Sequence, residues 1–293
     1  MKRAVVLGAT SMLGREVERQ LRAGGVEVIR AGRAEDSGVV IDLGSGKPPA
    51  FATQEEADTL IHCAAAFGGD DPVGIRSNFS VNTLGALDTL EIARRMGCLR
   101  VVYAGTLSSE AVLEPDRSLS SYGMSKLECE RILDWGITNS GGTFCSLRLT
   151  QLWDTDGDCC RHQPWFGRIV AYASRGLTLK MPPSDGVRNF LHVSDAARLL
   201  IAAAGRGLSG CYPVRHPADI DLHALALEAC RVFAQGGQVI VDLHKKPFRK
   251  ICFPHDYRAF DALGLKPEID AFHGLCMIRD AGTAAHFGPV DVK

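Results

Sequence analysis

The 293-residue sequence lacks any apolar run near the roughly 18 residues that a membrane-spanning helix needs. It also lacks an excess of charge, because 33 Lys and Arg residues are balanced by 34 Asp and Glu residues and the basic ones are spread along the chain. The composition therefore disfavours a nucleic acid or a membrane as partner. We expect a small-molecule partner and a cytoplasmic location, since no cleavage-like site follows the short apolar stretch before Gly8.

Metal-binding and disulfide patterns are also missing. The ten cysteines include no CxxC pair, and no histidine belongs to an HExxH motif. Asp154, Asp156 and Asp158 alternate like the opening of a calcium loop, but Cys159 and Trp165 occupy the positions where glycine and glutamate are needed. We expect reduced thiols and no metal site.

What the sequence does contain is an alternation of short apolar strands and longer amphipathic helices. Near-continuous apolar strands are typical of a parallel sheet that helices cover on both faces. Strands are predicted at 4–7, 26–29, 39–41, 59–64, 100–104 and 143–149, and helices at 13–23, 76–97, 120–138, 194–204, 221–233 and 256–263. The fold class predicted is α/β, a Rossmann-type doubly wound parallel sheet.

The strand–helix rhythm stops near residue 150, where a polar and irregular stretch begins. We therefore predict a dinucleotide-binding domain over 1–150 and a smaller, mainly substrate-binding domain over 151–293. The segment 188–204 is expected to fold back onto the first domain.

The stretch GATSMLG, residues 8–14, links the first strand to the first helix. A turn there exposes the first N–H groups and the positive dipole end of the helix, which suit a pyrophosphate. Gly8 and Gly14 match the glycine-rich pattern, whereas Ser11 stands where a third glycine is usual. Either its hydroxyl donates to a phosphate oxygen or the loop is an ordinary strand–helix turn.

The end of the second strand indicates which dinucleotide is preferred. An NAD-preferring site places a carboxylate there, but this chain has Gly32 followed by Arg33. A guanidinium pairs bidentately with phosphate, so Arg33, with Arg30 nearby, favours the 2′-phosphate of NADP. Glu35 and Asp36 lie close enough to keep NAD open.

Tyr122 and Lys126 are four residues apart in a predicted helix and so share one face. A neighbouring ammonium favours the phenolate, so we expect Lys126 to lower the pKa of Tyr122 toward neutrality. Thr106 follows the fifth long strand, at the carboxyl edge of the sheet where ligands of such folds bind. Its hydroxyl can hold a substrate oxygen while Tyr122 moves the proton, although a turn residue at a strand end is the plainer interpretation.

Several further stretches, in a fixed order, resemble the extended short-chain dehydrogenases/reductases, also described as NAD-dependent epimerases/dehydratases, in their nucleotide-sugar-modifying branch. The matching stretches are GATSMLG (8–14), DTLIHCAAA (58–66), SVNTLGALDTLEIAR (80–94), YAGT (103–106), YGMSK (122–126), RLTQLW (148–153) and VRNFLHVSDAARLL (187–200). The resemblance thus covers most of the chain.

By position, this resemblance implies a catalytic set and two binding sets. The catalytic set is Thr106, Tyr122 and Lys126. The cofactor set is Gly8, Thr10, Ser11, Met12, Leu13, Gly14, Arg33, Asp42, Leu43, Ala64, Ala65, Ala66, Asn82, Tyr122 and Lys126. Thr106 and Arg188 are implied at the substrate, Arg188 at its diphosphate, where Arg249 can join it unless the basic cluster 244–250 is a solvated face. Family members often dimerise through two long helices, here 76–97 and 120–138, so a homodimer is expected.

Departures from the family pattern reduce the number of reactions that we expect this chain to catalyse. Dehydratases of this family carry Asp-Glu after the catalytic threonine, whereas this chain has Leu107 and Ser108. The Cys and His of the double epimerase–reductases, expected near Ser108 and Asp156, are absent. We therefore expect reduction of a keto group on a nucleotide-activated sugar by NADPH. A nucleotide-sugar epimerase with retained NAD(P) and a non-catalytic NAD(P)-binding sensor are the alternatives.

Overall fold

The computed structural model describes residues 1–110, 118–183 and 186–291. Its main sheet has eight strands in the order β12-β7-β6-β5-β1-β2-β3-β4, and every neighbouring pair is parallel except β3 with β4. The strands are β1 (Arg3–Leu7), β2 (Glu27–Gly32), β3 (Val39–Val40), β4 (Ala50–Phe51), β5 (Thr59–His62), β6 (Arg100–Thr106), β7 (Thr143–Leu149) and β12 (Gly210–Val214). The predicted doubly wound α/β fold is confirmed, and β4 and β12 are the two strands of this sheet that the sequence analysis did not identify.

The central strands are buried because they are apolar on both faces. Every residue of β5 is buried, as are all but the first residue of β1 and of β6. Side chains from these strands join those of the covering helices in one core, which includes Val5, Leu60, Val101 and Phe144. The near-continuous apolar runs thus reflect burial on both faces of a parallel sheet.

The order of the strands reverses between β1 and β5, which are neighbours in the sheet. From β1 the chain proceeds to β2 on one side, whereas from β5 it proceeds to β6 on the other. Ligands of open α/β sheets bind outside the carboxyl ends of the strands at such a switch point. The residues that follow these strands are therefore candidates for the site.

Five helices lie between strands of this sheet along the described chain, and a sixth follows β12 in the same unit. They are α1 (Met12–Ala23), α2 (Pro72–Asn78), α3 (Gly85–Arg95), α4 (Ser121–Asn139), α6 (Val193–Arg206) and α8 (Arg258–Leu263). The helix predicted over 76–97 begins earlier than expected, because Asp71 caps the first turn and Pro72 occupies its first position. A π-helical turn, Phe79–Leu84, joins α2 to α3.

Two compact units divide the chain. The first contains residues 1–149, 196–214 and 254–266, and the second contains residues 150–195, 215–253 and 267–293. The segments that return to the first unit are therefore 196–214 and 254–266, and the first of these overlaps the expected segment 188–204. Residues 190–192 pair with residues 151–153 of the second unit, whereas β12 pairs with β7 at the edge of the main sheet.

The second unit contains three short strand pairs and three helices. β8 (Gln151–Trp153) pairs with β11 (Phe190–His192), β9 (Thr178–Met181) with β14 (Gln238–Val241), and β10 (Val187–Arg188) with β13 (Ile220–Asp221). The helices are α5 (Pro164–Ser174), α7 (Leu222–Phe233) and α9 (Ala271–Ala281). Its core is aromatic, with Phe166 packed against Trp153, Phe190 and Phe287.

Within the described ranges, no helix combines the length and the apolar character that crossing a membrane requires.

Candidate active site

The loop between β1 and α1 depends on two glycines for its shape. Gly8 has a φ of +83°, and a Cβ atom there would lie 2.6 Å from the backbone nitrogen of Ala64. A Cβ atom on Gly14 would lie 2.1 Å from the carbonyl oxygen of Gly8. Both positions are therefore closed to any side chain, and the backbone folds into the tight cradle that a pyrophosphate requires.

Ser11 is the N-cap of α1. Its Oγ accepts a hydrogen bond of 3.0 Å from the backbone N–H of Gly14 and lies 3.4 Å from the carbonyl oxygen of Cys63, to which it donates. The hydroxyl is thus used within the protein, which differs from the role at a phosphate considered above. Within the described residues, the backbone N–H groups of Met12 and Leu13 remain available to a ligand, since the first turn of a helix has no carbonyl partners for them.

The rest of the predicted cofactor loop lies around this helix start. Thr10 is exposed, and its carbonyl oxygen accepts a hydrogen bond from Arg15. Leu13 is buried, so only its backbone can meet a ligand. These residues, with the glycine cradle and the free N–H groups, fit the pyrophosphate of a dinucleotide.

The two arginines at the end of β2 differ in their partners. Arg30 forms an ion pair with Glu18 at 2.8 Å and lies 3.6 Å from Asp36. It is already neutralised, so its expected assistance to Arg33 at a phosphate is not supported. Arg33 is exposed, and the described part of the chain provides no hydrogen bond or ion pair for it. An uncommitted guanidinium at this position suits an anionic ligand.

The predicted adenine contacts, Asp42 and Leu43, follow β3. Asp42 is exposed, whereas Leu43 belongs to the buried core. A Cβ atom on Gly85 would lie 3.0 Å from that of Leu43, so α3 approaches this turn closely. The structure places Asp42 where a ligand can reach it and gives Leu43 a packing role.

Asn82 lies in the π-helical turn, 3% exposed. Its Oδ1 accepts from the N–H of Ala66 at 2.8 Å, and its Nδ2 donates to the carbonyl of Ala66 and to the hydroxyl of Ser125. Asn78 holds the backbone of Gly68 in the same way. Asn82 therefore positions the segment after β5 instead of presenting its amide to solvent.

The structure also shows what the predicted Ala64, Ala65 and Ala66 do. All three are half-buried in the extended segment after β5, and Ala64 closes over Gly8. The sequence analysis did not identify Asn78 as the second anchor of this segment. The spacing of four residues between the two asparagines was the signal that could have found it.

Thr106 ends β6 and is 9% exposed. Its Oγ1 accepts from the N–H of Ser108 at 3.2 Å and caps a 3-10 turn, Leu107–Ser109. Ser109 in turn donates to the Thr106 carbonyl at 2.6 Å. The threonine side chain is thereby fixed, near enough to Tyr122 for its hydroxyl to lower the pKa of the phenol.

Tyr122 lies in the first turn of α4, which Ser120 caps by accepting from the N–H of Gly123. Burial raises the pKa of Tyr122 above its ordinary value, and the Thr106 hydroxyl offsets only part of that rise. The expectation of a pKa near neutrality is wrong for the protein alone. The phenol is therefore protonated at neutral pH and can act as a proton donor.

Lys126 lies one turn further along α4 and is 3% exposed. Its Nζ donates a hydrogen bond of 2.8 Å to the carbonyl of Ala104 and lies 4.1 Å from the centroid of the Tyr103 ring. Burial lowers the pKa of Lys126 to about 8. The ammonium is thus held by β6 rather than by Tyr122, which explains why it does not depress the pKa of the tyrosine.

His62 lies at the end of β5, edge-on to the Tyr103 ring with centroids 5.1 Å apart. Burial lowers the pKa of His62 to about 3, so the imidazole is neutral. Its Nδ1 accepts from the N–H of Ala64 at 3.3 Å. His62 and Tyr103 are thus uncharged neighbours of the Lys126 ammonium. The sequence analysis missed this arrangement because the two residues are far apart in the chain.

Arg188, the predicted substrate residue, ends β10 in the second unit and is 9% exposed. Its Nη1 donates to the carbonyl oxygens of Val187 at 2.6 Å and Arg249 at 3.2 Å. Its guanidinium lies over the Phe248 ring, with Cζ 5.6 Å from the ring centroid. Arg188 thus contacts Arg249 through the backbone carbonyl of Arg249, and a role of the Arg249 side chain at a diphosphate stays a prediction.

Comparison with known proteins agrees with this geometry. The NAD dependent epimerase/dehydratase family matches residues 4–211, so the chain belongs to that family. It is 26% identical over 235 residues to a UDP-glucose 4-epimerase of Lacticaseibacillus casei, which covers 68% of this chain and 70% of that protein. The family match over residues 4–211 includes the loop 8–14, Thr106, Tyr122 and Lys126.

Solved structures show the same fold. A UDP-N-acetylglucosamine 4-epimerase from Bacillus cereus has a TM-score of 0.78 at 20% identity, covering 100% of this chain and 99% of that one. A protein of Pseudomonas aeruginosa named RMD, complexed with NADPH, has a TM-score of 0.76 at 18% identity, covering 97% and 100%. These similarities concern the fold alone.

Proposed function

We propose that this protein is an NADP(H)-dependent oxidoreductase that reduces a keto group of a nucleotide-activated sugar. The observation that carries the proposal is the close packing of the start of α4 on the turn that Thr106 caps: a Cβ atom on Gly123 would lie 2.1 Å from the carbonyl oxygen of Ser108. This packing places Tyr122 beside Thr106, and burial holds the phenol in its protonated form. Both residues belong to the unit that contains the glycine cradle at the switch point of the sheet. A protonated donor suits reduction, which must deliver a proton to oxygen.

Three residues of the chain have distinct roles in the proposed reaction. When bound, the nicotinamide cofactor supplies the hydride. Tyr122 donates its phenolic proton to the substrate oxygen, and Thr106 holds that oxygen by a hydrogen bond. In the free protein the carbonyl of Ala104 holds the Lys126 ammonium. We propose that the ammonium turns to Tyr122 once the phenol has lost its proton, because an opposite charge stabilises the phenolate.

Arg33 supports the preference for NADP over NAD. Its exposed guanidinium has no partner in the described ranges, whereas the nearby Asp36 lies by Arg30. A ribose 2′-phosphate provides the two oxygens that a guanidinium binds bidentately. Asp42 and the N–H groups of Met12 and Leu13 complete the proposed cofactor contacts.

A nucleotide-linked sugar is proposed as substrate because the curated relative is a UDP-glucose 4-epimerase. Within the second unit, Arg188 is proposed to contact the diphosphate, since a guanidinium is the side chain best matched to phosphate oxygens. Its fixed position on the carbonyls of Val187 and Arg249 preorganises it for that role.

The mechanism is tested with Tyr122→Phe, which removes only the hydroxyl. We expect turnover to fall by at least about 100-fold while NADPH still binds. Turnover is measured as NADPH oxidation against a panel of nucleotide-linked 4-keto sugars. Tyr212→Phe is the matched control, because the Tyr212 hydroxyl donates to the carbonyl of Ser209 and lies outside the proposed catalytic set. Near wild-type turnover in Tyr122→Phe would refute the mechanism.

An epimerase that oxidises and re-reduces its sugar is the second candidate, favoured by the names of the relatives. Such an enzyme retains its cofactor and shows no net change in nicotinamide absorbance during turnover. Identifying the cofactor released on denaturation therefore separates the two functions. Tight NADPH binding without hydride transfer to any substrate of the panel would instead indicate a sensor.

A homodimer is proposed to form through α3 and α4, which pack side by side. Exposed apolar side chains lie on these helices, with Leu87 of α3 at 55% and Trp135 of α4 at 66% exposure, and Leu84, directly before α3, is 57% exposed. Burying such a surface against a second copy removes apolar area from water. The pair of helices corresponds to the segments expected from the family resemblance.

A further inference from the structure

Phe67 is an exposed aromatic residue placed directly beside the candidate proton donor. Its ring stacks on that of Tyr122, with centroids 4.7 Å apart and an interplanar angle of 24°. Even so, the side chain remains 53% exposed. Single exposed apolar residues are ordinary on protein surfaces. Phe67 differs from them because its ring stacks on Tyr122 and because its backbone is firmly held.

The backbone around Phe67 is anchored on both sides. Ala66 is held by Asn82, and Gly68 exchanges two hydrogen bonds with the amide of Asn78. Asp70 accepts from the N–H of Ser121 at 2.7 Å, which fixes the segment to the start of α4. Three anchoring side chains, with five hydrogen bonds between them, therefore hold the backbone of this exposed phenylalanine beside Tyr122.

Close backbone packing adds to this rigidity. A Cβ atom on Gly68 would lie 2.4 Å from the carbonyl oxygen of Gly74, and one on Gly74 would lie 2.3 Å from that of Gly69. The segment thus lies against α2 at a distance that only glycine permits. Because the backbone is already ordered, an aromatic side chain on it loses little further conformational entropy when a ligand packs on the ring.

We propose that Phe67 is a substrate-binding residue, an aromatic platform for the apolar face of the sugar ring whose oxygen meets Tyr122. The inference rests on the proposed function and extends it to the sugar subsite. Since the two ring centroids are only 4.7 Å apart, a sugar ring with one oxygen on the Tyr122 hydroxyl lies within contact distance of Phe67. C–H groups of a pyranose carry partial positive charge and pack favourably on the negative face of an aromatic ring.

Phe67 also keeps water from one face of the Tyr122 ring. Burial is the main reason for the raised pKa of that tyrosine, and a stacked ring contributes to burial. A smaller side chain at position 67 would hydrate the phenol. The platform thus assists the proton donor while it positions the sugar.

The test compares Phe67→Leu, which keeps an apolar side chain without a ring, with Phe67→Tyr, which keeps the ring. The probes are UDP-glucose, GDP-glucose and dTDP-glucose, each measured against its nucleoside diphosphate by calorimetry on the cofactor-loaded enzyme. For whichever pair binds the wild type, Phe67→Leu is expected to weaken the nucleotide sugar by about 5- to 10-fold. Binding of the nucleoside diphosphate and of NADPH, and the melting temperature, should not change, and Phe67→Tyr should bind as the wild type does.

Two outcomes would overturn the inference while leaving the proposed function intact. Equal weakening of sugar nucleotide and nucleoside diphosphate would show that Phe67 does not meet the sugar. A matching loss of NADPH affinity would show that the ring contacts the cofactor. If the wild-type enzyme binds none of the nucleotide sugars, the proposed substrate class itself fails, and the inference fails with it.

Discussion

The first unit contains two parts of the candidate site that are built in different ways: the cofactor loop, residues 8–14, and the catalytic corner, formed by Thr106, Tyr122 and Lys126. The loop 8–14 is a backbone structure, in which Gly8 and Gly14 permit close contacts and Ser11 caps the helix. The corner is a side-chain structure, in which β6 supplies Thr106 and α4 supplies Tyr122 and Lys126. Backbone shape is determined by a few adjacent residues, whereas the chemistry of the corner depends on burial by distant ones.

That difference explains how much of the site the sequence could predict. The glycine spacing indicated the loop because steric limits act locally. The spacing of Tyr122 and Lys126 indicated a shared helix face, but not that the carbonyl of Ala104 and the ring of Tyr103 would hold the ammonium. The predicted direction of the Tyr122 pKa was therefore wrong, since burial outweighed proximity.

The same reasoning applies to the fold. The strands of the main sheet were predicted where apolar runs were continuous, whereas β12, with the sequence GCYPV, was missed because its first three residues are only half-buried and it contains a proline. The helix expected over 76–97 was found in two parts, because local periodicity does not show a π-helical turn. Pairings between distant segments, such as β12 with β7, leave no local signal.

The largest effect is expected at the side-chain corner, from Lys126→Met. The variant keeps the aliphatic stem and removes the ammonium, so turnover should fall by about 100-fold. The pKa of Lys126 is lowered to about 8 by burial, so in the wild type the charged form dominates below that pH and the rate should decline as pH rises through it.

A pH–rate profile of both proteins checks this prediction. The declining limb should vanish in Lys126→Met and persist in Lys47→Met, a control at an exposed lysine. If the declining limb of the pH–rate profile were unchanged in Lys126→Met, a group other than Lys126 would be responsible for it. The catalytic corner would then depend less on this buried side chain than we infer.

An intermediate effect is expected at Arg33, the one side chain of the cofactor region that we assign to specificity. Arg33→Ser should lower kcat/KM with NADPH by about 10- to 100-fold, as the loss of a charge-assisted hydrogen-bonded pair implies, and leave that with NADH unchanged. Arg33→Lys should retain part of the preference, since an ammonium keeps the charge without the bidentate geometry. Parallel losses with both cofactors would mean that Arg33 acts on the fold of the loop instead.

The smallest effect is expected at Ser11, where the backbone character of the loop is tested most directly. Because its Oγ already accepts from the N–H of Gly14, Ser11→Ala should destabilise the protein by about 1 kcal/mol, as loss of an N-cap does, while Ser11→Gly should cost only a few tenths. Thermal unfolding and an NADPH fluorescence titration measure the two quantities separately. Cofactor affinity should stay nearly constant in both variants, since the hydroxyl serves the helix. If Ser11→Gly instead bound NADPH about 5-fold more weakly at unchanged stability, the Ser11 hydroxyl would be assigned to a phosphate oxygen. Cofactor binding by the loop would then depend on a side chain, as the chemistry of the catalytic corner does.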